Sequence, residues 1–246
     1  MLAPVRRAAA AADASFQRWL GISAEREALT VWALCFGATL IAYVASPPAG
    51  KVAATVGFLY LPLYACQRRG EDWPDFGLSR ARLGADIKQF LGVAAVVFPL
   101  FIAGYFAFTM AWPHLPSWVL ALLPYTHGPR FEPRLPDRFT EFLIDDLFVV
   151  ALPEEFFYRG YLQTRLRDAW PQGRLFFGAR LGKAFWVTAV LFALGHLAIF
   201  QVWRLGVFFP ALLFGWMRER SNSVVGAALF HAAANLLIKV LDASFF

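Results

Sequence analysis

Three ionisable residues inside a strongly apolar stretch are the first candidates for chemistry in this chain. Glu154, Glu155 and Arg159 lie in the segment Pro-Glu-Glu-Phe-Phe-Tyr-Arg, residues 153–159. A charged side chain at bilayer depth costs at least ~2.5 to 3.5 kcal/mol on insertion scales, so such groups are rare unless they are paired or functional. The segment therefore predicts a buried ion pair, a reactive carboxylate, or both.

Helical spacing separates the two acids. At ~100° per residue, Glu155 and Arg159 share one face of a helix because they are four positions apart, whereas Glu154 is rotated away from them. We expect Glu155 to pair with Arg159 and to hold its helix in the bundle. Glu154 has no partner on its own helix, so its carboxylate must become neutral, find a cation elsewhere or hold a water molecule.

Two histidines and an asparagine on later apolar segments could join Glu154. Counted from the predicted helix ends, His196, His231 and Glu154 lie roughly 14 to 18 Å below the same membrane surface at ~1.5 Å per residue. Asn235 follows His231 by one turn. A Glu beside a His can activate water, and a His beside an Asn can donate two hydrogen bonds to an oxyanion. The set predicts hydrolysis, with Phe192, one turn before His196, as a wall of the site.

Composition indicates the elements that must position these residues. The 246 residues are 59% hydrophobic and 16% charged, with 26 Phe and 9 Trp. These values are typical of a polytopic membrane protein, and no nucleic-acid-binding pattern is present. Apolar stretches predict about seven spans. They lie near residues 29–45, 52–66, 90–111, 139–161, 184–200, 205–217 and 222–241.

The predicted fold is an all-α, polytopic transmembrane helical bundle. Residues 1–27 are expected to form a cytosolic or interfacial segment, and residues 28–246 the transmembrane domain. Basic residues concentrate on one side of the seven-span arrangement, in the connections 67–88 and 165–183 and around residues 218–220. Loops rich in Lys and Arg face the cytosol, so we predict a cytosolic N-terminus and a site that opens toward the cytosol.

Three short motifs resemble those of a known family. Glu154 to Arg159 fits EExxxR, Phe192 to His196 fits FxxxH, and His231 to Asn235 fits HxxxN. These are the motifs of the CAAX-protease and bacteriocin-processing (CPBP) family of intramembrane proteases, which includes a myxosortase-like branch. Each motif alone is weak, but all three occur in order and in separate predicted helices. The resemblance covers roughly residues 139–240.

The resemblance implies a role for each site residue. Glu154 would be the water-activating base and His196 its partner on that water, while His231 and Asn235 would stabilise the oxyanion. Glu155, Arg159 and Phe192 would support the site. The implied partners are the bilayer and a membrane-anchored peptide or protein cleaved near its C-terminus, and no cofactor is expected.

Other functions remain open at this point. Glu154, His196 and His231 could instead bind zinc, since one Glu and two His with an open position form a zinc-type catalytic set. We prefer the metal-free interpretation because neither His lies in an HExxH pattern and Asn235 suits an oxyanion better than a metal. A transporter would usually show repeats or interrupted helices, which the sequence does not indicate. A non-catalytic scaffold would be free to lose Glu154 or Asn235.

Overall fold

The fold was described from a computed structural model, which covers residues 15–16, 18–20, 23–125 and 127–246. The remaining residues of the predicted segment 1–27 lie outside the described residues. The described chain is almost wholly helical, which confirms the predicted all-α class. The main α-helices are α1 (Ala24–Ala45), α2 (Pro47–Cys66), α3 (Leu83–Ala111), α4 (Ser117–Leu120), α5 (Phe139–Ile144), α6 (Leu152–Glu155), α7 (Gln163–Ala169), α8 (Lys183–Gly195), α9 (Phe208–Ser221) and α10 (Val225–Phe245).

Helices α1 and α2 form a hairpin with a single residue between them. The Ser46 amide donates to the Ala42 carbonyl at the end of α1, and its hydroxyl accepts from the Ala49 amide at the start of α2. Pro47 and Pro48 occupy the first positions of α2, where a missing N–H leaves no hydrogen bond unmade. The second helix therefore begins earlier than the predicted residue 52, because the two prolines start it instead of separating it from α1.

The fourth predicted span is one composite helix, residues 139–169, in which α5, α6 and α7 are joined by two π-helical segments, Asp145–Ala151 and Phe156–Leu162. Pro153 lies near the start of α6 and cannot donate a hydrogen bond to the carbonyl of Val149, four residues earlier. The Thr55 hydroxyl of α2 lies 2.9 Å from that carbonyl oxygen and 3.0 Å from the Lys51 carbonyl oxygen of its own helix, so the two carbonyls share its single proton. A side chain from a neighbouring helix thus donates to the carbonyl that the proline cannot reach.

Four helices of the described chain are long and apolar enough to cross a membrane: Ala24–Ala45, Pro47–Cys66, Leu83–His114 and Val225–Phe245. The predicted count of about seven is not confirmed. Helices α8 and α9 have only 13 and 14 residues. Between them the chain forms two 3₁₀ segments, His196–Ile199 and Val202–Val207. The fifth and sixth predicted spans are therefore two short helices with irregular backbone at their junction.

A polar network closes the end of the bundle where the basic connections gather. Glu27 is buried and accepts hydrogen bonds from Arg69, Arg165 and the Tyr161 hydroxyl at 2.8 to 3.0 Å. Glu71 pairs with the same two arginines. Partial burial opposes ionisation of Glu71, but Arg69 and Arg165 hold the pKa of its carboxyl below the ordinary value. These contacts fix α1, the 67–71 connection and α7 to one another.

A two-stranded antiparallel hairpin lies at the same end and was not predicted. Its strands are β1 (Gly173–Phe176) and β2 (Ala179–Gly182), joined by Phe177 and Gly178, both with positive φ. Arg220 at the end of α9 donates to the Phe177 carbonyl at 2.5 Å. The basic segment 165–183 is thus ordered against α9.

The Thr55 contact can be tested by removing its hydroxyl. We expect Thr55→Val to lower the free energy of unfolding by about 1 kcal/mol, because it leaves the Val149 carbonyl without its partner. Unfolding in mixed micelles with denaturant measures this change. Thr188→Val is the matched control, since the Thr188 hydroxyl is buried without a hydrogen bond among the described residues and its loss should not destabilise. Equal effects of the two substitutions would contradict the proposed contact.

Candidate active site

The four predicted catalytic residues line one cavity of about 580 Å³ between the composite helix, α3, α8, α9 and α10. Glu154 comes from α6, His196 from the end of α8, and His231 and Asn235 from α10. The other walls are mostly apolar and include Val97, Phe98, Phe101, Leu213, Phe230 and Ile238. The structure thus brings together residues that are up to 81 positions apart in the sequence.

Glu154 is the carboxylate without a counter-ion. Its Oε2 atom is buried and has no hydrogen-bond partner among the described residues. The neighbouring Glu155 is fully buried, yet its Oε1 atom has two partners. Adjacent acids in the sequence therefore occupy different environments. An unpaired carboxylate facing a cavity can hold water and accept its proton.

His196 has a defined orientation. Its Nδ1 atom lies 2.9 Å from the carbonyl oxygen of Phe192. Because a carbonyl only accepts, Nδ1 must carry the proton in this contact, which leaves Nε2 of the neutral ring as an acceptor. Gly195, just before His196, permits this packing: a Cβ atom there would clash with the Tyr158 hydroxyl.

The predicted ion pair between Glu155 and Arg159 is present. Nη1 of Arg159 lies 3.0 Å from Oε1 of Glu155, and both side chains are at most 1% exposed. His231 Nδ1 lies 2.9 Å from the same oxygen. The contact with His231 was not predicted, because 76 residues separate the two and spacing along one helix carries no information about it.

The shared carboxylate controls the proton on His231. An ionised Glu155 accepts from both partners, so Nδ1 of His231 is the donor. Nε2 can then donate to an oxyanion only when it carries a proton as well. Glu155 therefore does more than hold its helix in place. It also orients the His231 ring.

Phe192 packs between the charged groups of the site. The Arg159 guanidinium lies 4.0 Å from the Phe192 ring centre and 5.1 Å from that of Phe214. The ring centres of His196 and Phe192 are 4.6 Å apart. Cations stack favourably on aromatic faces, particularly when water is excluded. Phe192 thus contributes to the position of Arg159 as well as to the wall near His196.

Asn235 lies one turn beyond His231 and lines the cavity. No hydrogen bond to its side chain is formed within the described part of the chain. The amide is therefore free to donate to a ligand beside His231.

A second cavity of about 280 Å³ also includes Glu154 and His196. It extends to the α1–α2 turn, where Tyr43 and Pro47 line it, and it contains two cations, Lys51 and Arg204. Sequence analysis did not identify either cation as a site residue. In the sequence, both are basic residues outside the basic connections. That feature alone does not predict that a residue lines the site.

The zinc alternative requires donor side chains that converge on one point. Within residues 15–16, 18–20, 23–125 and 127–246, no group of three or more His, Cys, Asp or Glu side chains is arranged to hold a metal ion. Glu154, His196 and His231 share a cavity but do not form such a cluster.

The fold and cavity define a helical membrane protein with a polar site between its helices. The family model described as "type II CAAX prenyl endopeptidase Rce1-like" matches residues 137–237. The match covers less than half of the chain but includes every predicted catalytic and supporting residue. It confirms the predicted CPBP protease family for this region, while the myxosortase-like branch is not confirmed. Neither the curated proteins nor the solved structures gave a match to the chain.

The different environments of the two acids predict different effects on stability. Glu155→Gln should lower the free energy of unfolding by about 3 to 5 kcal/mol, because Arg159 and His231 lose their buried counter-ion. Glu154→Gln is the matched control and should leave stability nearly unchanged, since Glu154 has no ion pair. Denaturant unfolding of both variants in the same micelles measures the difference. Equal destabilisation would contradict the assignment of the shared ion pair to Glu155.

Proposed function

We propose that this protein is an intramembrane endopeptidase that cleaves a peptide bond near the C-terminus of membrane-anchored substrates. The observation that carries the proposal is the unpaired Glu154 carboxylate in the same cavity as His196, His231 and Asn235. The family match supports protease activity independently. The substrate class is a CAAX-type tail or another C-terminal sorting tail.

In the proposed reaction, a water molecule binds between Glu154 and Nε2 of His196. Glu154 accepts a proton as the water oxygen attacks the scissile carbonyl, and the new C–O bond converts the carbonyl oxygen to an oxyanion. His231, through a proton on Nε2, and the Asn235 amide donate hydrogen bonds to that oxyanion. When the C–N bond breaks, Glu154 returns the proton to the leaving amine, which restores the carboxylate.

A membrane transporter is the alternative to an enzyme. Interrupted helices, absent from the sequence prediction, are present in the structure as the 196–207 junction and the π-segments of the composite helix. This feature no longer argues against a transporter. The protease is favoured by the match to an endopeptidase family, which includes both acids and both histidines.

The position of the cavities suggests which side the substrate enters from. The basic connections lie at the end closed by Glu27, Arg69 and Arg165, whereas the smaller cavity is lined by residues of the α1–α2 turn at the other end. If the basic end is cytosolic, as predicted, the site opens toward the non-cytosolic face. We propose this orientation in place of the expected cytosolic opening.

Hydrolysis of membrane-tethered peptides by the purified protein tests the reaction. Glu154→Gln should reduce kcat/KM by at least about 100-fold, because a general base contributes 10² to 10⁴ to the rate. Glu141→Gln, at an exposed acid outside both cavities, should retain wild-type activity. Cleavage by Glu154→Gln at the wild-type rate would overturn the mechanism.

A chelator arm in the same assay separates the two protease types. A glutamate-type enzyme should keep its full activity after treatment with chelator. Loss of activity that added zinc restores would establish the metal alternative instead.

Cysteine labelling tests the orientation. Cys35 and Cys66 are both buried, so background labelling should be low. In intact cells, a membrane-impermeant maleimide should label Lys51→Cys, at the α1–α2 turn. Leu175→Cys, in the exposed strand β1, should be labelled only after the membrane is opened. The reverse pattern would place the cavities on the cytosolic side.

A further inference from the structure

Glu154, His196 and Arg204 lie at the boundary of two compartments, because all three line both cavities. The walls of the larger cavity of about 580 Å³ and of the smaller one of about 280 Å³ are otherwise mostly apolar, and Lys51 lines the smaller one alone. A peptide bond held at Glu154 would therefore have Arg204 beside it and a second cation, Lys51, on the side of the smaller compartment. The two cations give the site a direction along the substrate.

Arg204 is held in one orientation but keeps free donors. Its Nε atom donates to Oε1 of Gln201 at 2.6 Å, and its guanidinium lies 5.0 Å from the Trp203 ring centre. The two terminal nitrogens make no hydrogen bond to any described residue. A fixed guanidinium with both terminal N–H groups available matches the geometry of a carboxylate.

The charge of Arg204 is also not matched by a contact ion pair. Glu154 is the acid that interacts with it electrostatically, but no salt bridge joins them within 4 Å in the described structure. Lys51, exposed at the α1–α2 turn, likewise has no acidic partner among the described residues. Two unpaired cations around a small, partly enclosed space favour an anionic ligand.

We propose that Arg204 binds the free C-terminal carboxylate of the substrate in the smaller compartment, with Lys51 at its rim. The inference rests on the proposed endopeptidase function, since it assigns the released C-terminal fragment to this compartment. The larger compartment then takes the apolar part of the substrate before the scissile bond. Arg204 is a specificity-determining residue: it selects substrates in which a chain end follows closely after the scissile bond.

A different role for Arg204 would be that of counter-ion to Glu154. In that case Arg204→Gln would change the reactivity of Glu154 and lower kcat for every substrate alike. A role in carboxylate binding predicts a change mainly in KM, and only for substrates that carry the charged terminus. Chemical modification of the substrate therefore separates the two roles.

The experiment compares matched tethered peptides that end in a free carboxylate or a C-terminal amide. With wild-type protein, amidation should lower kcat/KM about 10-fold to 100-fold, mainly through KM, because hydrogen bonds to a charged group are lost. Arg204→Gln should cleave both peptides at the rate of the wild type on the amide. Arg130→Gln, at an exposed arginine that lines neither compartment, should retain the wild-type preference.

A binding measurement gives a second readout. In the inactive Glu154→Gln protein, the released peptide should bind at least about 10-fold more tightly as acid than as amide, and Arg204→Gln in that background should abolish the difference. Equal cleavage of the two peptides by the wild type, or an acid preference that survives Arg204→Gln, would overturn this inference and leave the endopeptidase intact. Absence of cleavage of every peptide by the wild type would instead reject the proposed function.

Discussion

The site depends on one buried carboxylate shared by two cations. Glu155 accepts from Arg159 on its own helix and from His231 on α10, so a single charge joins the composite helix to the helix that also holds Asn235. Moving a carboxylate out of water has a large desolvation free energy, which close contacts with its partners must offset. The pair of contacts therefore fixes the relative position of the two helices and the proton on His231 together.

The helix on either side of the two adjacent acids is irregular. A π-segment precedes α6 and another follows it, and such segments often occur at functional sites. Pro153 accounts for a missing hydrogen bond in the first, and Thr55 of α2 replaces it. The α-helical rotation used to separate Glu154 from Glu155 holds within α6 itself, which contains both. An irregular backbone and a contact from a neighbouring helix thus occur together beside the proposed catalytic residue.

The sequence was sufficient for the helical class and for the Glu155 and Arg159 pair, because hydropathy and helical periodicity are local properties. It also identified Glu154, His196 and His231 as residues that could meet, and the three line one cavity. It was insufficient for the contact between Glu155 and His231, for Arg204 and for the β-hairpin. The first two depend on how separate helices pack, and the third on two positive-φ residues within a basic loop. The prolines at 47 and 48 were misjudged because a proline between helices and a proline that begins one have the same local pattern.

The single-residue joint at Ser46 has a mechanical consequence. The Ser46 amide and hydroxyl bond to the ends of both helices, so the α1–α2 connection is short and ordered. The two helices also pack closely, because a Cβ at Gly50 would lie only 2.8 Å from Tyr43 atoms. The hairpin is expected to move as one body, carrying Tyr43 and Lys51 together. The opposite wall, from His196 to Val207, consists of short 3₁₀ turns with fewer regular hydrogen bonds to break. If the smaller cavity opens, we therefore expect the segment 196–207 to move and the α1–α2 hairpin to stay fixed.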